Sequence, residues 1–200
     1  MIDNLKKEIK IFLNRNIKGY ILIAAVFISG VVLSLVLSYS DMNVEMSLYL
    51  NDFISNVKNY SIDPVKTFKN SMIGYFKFGT FLFLMSICTI GYIGILGAAF
   101  IKGFFYGTAL DALFKISVSK GFAVFFSCFF PHNIIAMPCC IVYSLTCIKN
   151  AKDIPKVTNN IKGVIIKPLV SGILYYLIIS TGALIQAYLE PMLIRMITSI

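Results

Sequence analysis

A chain of 200 residues that is 58% hydrophobic and only 14% charged, with a mean hydropathy of +0.83, does not fit a soluble domain, in which about a quarter of residues carry charge. Its net charge of +9 would suit nucleic acid, but the basic residues gather at the ends of apolar runs and form no aromatic-interleaved patch. Membrane orientation and anionic headgroups account for them, and nucleic acid is not expected as a partner.

Charge-free runs at 19–40, 78–101, 121–148 and 168–189 each exceed the eighteen or so apolar residues that mark a membrane span. The expected fold class is all-α: a polytopic integral membrane helical bundle, one membrane domain over 1–200, with the lipid bilayer as its surroundings. The first helix is expected near 20–39. Ser38-Tyr39-Ser40 faintly resembles a signal-peptide cleavage site, but the apolar stretch and its basic leader are too long for one, so an uncleaved helix is expected.

An external loop follows over 41–71. Within it Leu50, Phe53, Ile54 and Val57 keep i, i+3, i+4, i+7 spacing, which predicts a short amphipathic helix over 47–60. Phe53, Ile54 and Val57 are its candidate docking residues for an external partner, although packing on the membrane surface is the commoner use of such a helix.

The stretch from Met72 to Ser117 is too long for one span and suits two, near 72–92 and 95–116. Gly91, Gly94 and Gly97 mark the expected reversal, and Lys77 would snorkel at an interface. The glycines at 91, 94, 97, 103 and 107 offer faces for close helix approach, and Gly103-x-x-x-Gly107 is expected to pack the third helix on the fourth. Lys102 and Asp111 are intramembrane charges. Asp111 is expected near the outer boundary, paired with Lys115 one turn on.

The fourth helix, 121–148, runs for 28 positions without a charge and holds Pro131, His132, Asn133 and Pro138. Each proline removes a backbone donor, and polar side chains beside such breaks satisfy freed groups or bond a neighbouring helix. These four residues are the expected structural polar core. A broken helix can also form a transport site, so a small transporter or channel subunit is the alternative. A lone histidine without a nearby nucleophile does not make a catalytic set, and no enzyme is expected. The fifth helix covers 168–189.

Five cysteines, at 88, 128, 139, 140 and 147, lie in apolar runs without a Cys-x-x-Cys pair. They read as buried thiols, with no metal or cofactor. With the N-terminus cytoplasmic, inner segments carry ten Lys or Arg and outer ones seven, which favours that orientation and an outward C-terminus for five spans.

Phe68-Lys-Asn70, Phe100-Ile-Lys-Gly103, Gly107 and Phe130-Pro-His-Asn-Ile-Ile-Ala-Met-Pro138 together resemble the stage II sporulation protein M family, over most of the chain. The wider superfamily reads Pro-His-Gly with a Glu three residues later; here Asn133 and Ala136 occupy those places. The resemblance implies a five-span scaffold in forespore engulfment, on the mother-cell side of the septum and engulfing membrane. It also implies that the scaffold holds two peptidoglycan hydrolases, stage II sporulation proteins D and P. A homo-oligomer is compatible with this reading.

Overall fold

The computed structural model describes residues 2–37, 48, 52, 55, 63–116, 122, 124–154 and 161–198. Among them are six α-helices and no strand: α1 (Ile2–Leu37), α2 (Pro64–Ser86), α3 (Gly91–Ile116), α4 (Phe130–Asp153), α5 (Ile161–Leu184) and α6 (Glu190–Thr198). A π turn at Phe125–Phe129 leads into α4, and another at Ile185–Leu189 joins α5 to α6. The molecule is an all-α polytopic membrane bundle. Four stretches are long and apolar enough to cross a bilayer: Asn16–Leu37, Gly91–Phe114, Phe130–Asp153 and Ile165–Met196.

Helix α2 carries more charge, but its 23 residues extend about 34 Å, enough for the roughly 30 Å hydrocarbon core. It begins at Pro64 rather than near 72 because Asp63 caps it. The Asp63 carboxylate accepts from the Val65 amide at 2.9 Å, and Pro64 fills the first helical position, where no donor is needed. Those two extra turns move Lys77 from an interface to mid-helix. The reversal into α3 occurs at Ile87–Ile90, just before the glycines. Gly91 is required there, because a Cβ would overlap the Met85 carbonyl. Cys88 is exposed in this turn, unlike the buried thiol expected.

Helix α4 sits at the centre, touching α1, α2, α3 and α5. Half of its span is buried, against 17% of the α1 span. This explains how the two divide the chemistry. Helix α1 faces lipid with Ile21, Ile28, Val32 and Val36, whereas α4, ringed by protein, carries His132, Asn133, Ser144 and Asn150 in buried positions. At the end of the bundle where α2 and α4 finish, Asn150 Nδ2 donates to the Ser86 carbonyl at 3.0 Å. That carbonyl belongs to the last turn of α2 and has no partner in its own helix. Lys149 Nζ donates to Asn16 Oδ1 beside it, which ties α1 to α4.

The closest helix contact lies between α1 and α3. A Cβ at Gly30 would overlap the Phe100 carbonyl, one at Gly103 the Phe27 carbonyl, and one at Gly107 would lie 2.7 Å from the Val31 carbonyl. Gly103 and Gly107 therefore meet the first helix, not the fourth. Their small face is complemented by Gly30, so backbone lies against backbone. Gly97, by contrast, has nothing within 4 Å of its Cβ position.

Gly103→Leu must separate α1 from α3 and is expected to cost at least about 2 kcal/mol. Gly97→Leu should stay within about 0.5 kcal/mol. Unfolding of both variants in detergent micelles checks the contrast, and equal stability would refute the packing account.

Candidate polar site within the membrane

The sequence of α4 dictates an irregular start. Pro131 has no amide hydrogen, so the Ser127 carbonyl cannot receive its usual donor, and the chain accommodates this with the wide turn Phe125–Phe129. There the Phe130 amide reaches the Phe125 carbonyl. The second wide turn has the same grammar: Ile185–Leu189 is followed by Glu190 and then Pro191. Such turns insert one residue into the helical ladder and re-aim the side chains beyond it, which is why they recur at functional sites.

The two irregularities aim their downstream residues at one another. His132 Nδ1 and Glu190 Oε1 stand 2.5 Å apart, with side chains only 10% and 6% exposed. An imidazole and a carboxylate at that distance are hydrogen-bonded and compensate each other's burial, which neither does alone in apolar surroundings. Gly182 of α5 faces α4 at this level, where a Cβ would lie 3.6 Å from the His132 carbonyl, an ordinary contact. Next in sequence, Asn133 Nδ2 donates to the Phe129 carbonyl at 2.6 Å, at the exit of the π turn. Its Oδ1 is buried without a hydrogen-bond partner among the described residues. Pro131 is partly buried, while Pro138 lies on the exposed face of α4, away from the polar core in which it was expected.

Glu190 is the residue that sequence reasoning missed. A fifth helix ending at 189 leaves it on the outer face. The available signal is that apolar residues continue beyond it in Met192, Leu193 and Ile194, so the acid lies within a membrane-length helix and needs a partner. Ala136 is buried one turn after His132. In this chain the carboxylate beside the histidine comes from another helix.

A second set of polar contacts crosses the bundle nearer its middle. Lys102 Nζ lies 3.2 Å from Cys140 Sγ and 4.1 Å from the centre of the Phe78 ring, a cation held by soft and aromatic partners. Cys140 Sγ is 3.8 Å from the Tyr175 hydroxyl, and the Tyr175 ring stacks on Tyr143 at 4.8 Å. On the α2 side, Tyr176 Oη donates to the Phe76 carbonyl at 3.2 Å. Helices α2 to α5 are thus joined by hydroxyl, thiol and amine contacts. Asp111 is half-buried on α3, and the Lys115 side chain expected beside it lies outside the described residues. So do Phe53, Ile54 and Val57, in a segment where only residues 48, 52 and 55 are described. Among the described residues no cluster of His, Cys, Asp and Glu is arranged to hold a metal.

A family model described as stage II sporulation protein M matches residues 21–191. The chain belongs to that family. The match takes in α2 to α5, both wide turns and both members of the buried pair. Comparison with curated proteins and with solved structures returns no match. As a family member built of long apolar helices, this is a membrane protein related to sporulation.

Breaking the buried pair should be costly because the survivor stays buried. His132→Ala and Glu190→Gln are each expected to lose about 3 kcal/mol, with the double variant well short of the sum. Unfolding of the four proteins in micelles gives the coupling directly, and additive losses would show that the two side chains act independently.

Proposed function

We propose that this protein is a non-enzymatic membrane scaffold which holds septal peptidoglycan hydrolases, the stage II sporulation proteins D and P, during forespore engulfment. Family membership over 21–191 carries the reading. The destination of the interior polar groups supports it: His132, Glu190, Asn150, Lys149 and Tyr176 all end in contacts between helices. That use makes a rigid body with binding faces.

The N-terminus is cytoplasmic in this reading, on the mother-cell side, with α2 as a fifth span beside the four apolar ones. The 41–71 loop then lies outside the cytoplasm. Its amphipathic helix presents Phe53, Ile54 and Val57 to the hydrolases, whose own anchors lie beside the bundle. A reporter joined after Ile200 is expected to be exported; a cytoplasmic signal would refute the five-span orientation.

Two wide turns around a buried histidine and carboxylate also favour a second reading, a small transporter or channel subunit working through the broken fourth helix. The readings separate experimentally. A scaffold copurifies with both hydrolases from sporulating cells, and deletion of 47–60 abolishes that capture while the bundle still inserts. Full capture without the segment rejects it as the docking face. Proton or solute flux in liposomes that disappears in His132→Ala would instead establish the transporter.

A further inference from the structure

A groove of about 840 Å³ runs between α2 and α3 and reaches Gln186 in the second π turn. Two features separate it from ordinary lipid-facing surface. Gly94 on its wall packs against the Met85 side chain, but its other two glycines have no role in the chain's own packing: neither Gly74 nor Gly97 has any atom within 4 Å of its Cβ position, so larger side chains would fit there without disturbing a neighbour. And it is lined by two lysines, Lys77 and Lys102.

Both cations lie at mid-depth. Lys102 is about 16 Å along α3 from Gly91, and Lys77 about 14 Å along α2 from Ser86, at 1.5 Å per residue. Half the hydrocarbon thickness is about 15 Å, and an unpaired lysine there costs at least about 2.5 kcal/mol. Neither lysine has a carboxylate partner among the described residues. Lys102 turns to a thiol and aromatic faces instead of reaching for water.

We propose that this groove receives a transmembrane helix of a partner protein that carries an Asp or Glu near the middle of its span. The glycines let the incoming backbone approach closely, and the carboxylate pairs with Lys102 and Lys77, with the Gln186 amide beside it. A lipid phosphate does not meet the geometry, since headgroups stay at the bilayer boundary, about 15 Å from these amines. A second copy of this chain lacks the required acid. Glu190 is buried against His132, and Asp111 stands about 30 Å along α3 from Gly91, near the far boundary. The inference deepens the scaffold reading and rests on it only for who the partner is.

The test places a photoreactive residue at position 97 of the full chain in sporulating cells and identifies the adducts by mass spectrometry. The expected adduct is a membrane-spanning peptide with a mid-span Asp or Glu. Its yield should fall about tenfold in Lys102→Met, the scale of an interhelical polar contact in lipid. It should fall similarly when the groove is filled by Gly74→Leu, a position with room for the side chain. Replacing the partner's acid by lysine should restore the adduct in Lys102→Glu. Adducts to lipid alone, to a second copy, to a helix without an acid, or none at all, overturn the proposal, as does a yield that Gly74→Leu leaves unchanged. An acid-bearing helix from a protein other than a hydrolase upholds the groove and removes the scaffold's named partners. Hydrolase copurification with an empty groove does the reverse.

Discussion

In hydrocarbon there is no solvent to satisfy a polar group, so each one must find its partner inside the protein. The architecture follows from that constraint through α4. It is the helix with two prolines and the most buried polar side chains, and it is the one surrounded by four others. Helix α1, with little polar content in its span, is left at the edge, held to α3 by backbone contact through Gly30, Gly103 and Gly107. Placement in the bundle thus follows where polar side chains are buried: the helix with the most of them takes the centre.

The same constraint explains the irregular helices. A proline inside a span frees a carbonyl that cannot be left bare in lipid. At Pro131 the wide turn and the Asn133 amide, which donates to the Phe129 carbonyl, rearrange the local bonding. This local repair also turns His132 toward α5 and α6. The corresponding turn before Pro191 presents Glu190 in return. Two local backbone accommodations thereby create one long-range contact across 58 residues of sequence.

Much of the fold was legible because apolar runs are long and lysines sit at their ends. Four of the helices, α1, α3, α4 and α5, carry stretches long and apolar enough to cross a bilayer. The start of α2 was misplaced by about two turns because Lys66 and Lys69 look like loop, although Asp63-Pro64 carried the start signal. Pro131, His132 and Asn133 stood out in the sequence because polarity in an apolar run is conspicuous. Glu190 did not, since a charge at the end of a run looks like its boundary. Only the three-dimensional path through a wide turn brings it inside. Helix partners were equally hidden: Gly103 and Gly107 announced a close approach, but nothing in spacing tells whether α1 or α4 makes it.

The two wide turns also give chain length a chemical meaning. One residue of an α-helix corresponds to about 100° of rotation. Dropping a single residue from 125–129 or 185–189 to restore regular winding would swing the imidazole or the acid to a different side of its helix. The aromatic identities within those turns are therefore more replaceable than their residue count, and a one-residue indel there amounts to a change of geometry that no point substitution could imitate.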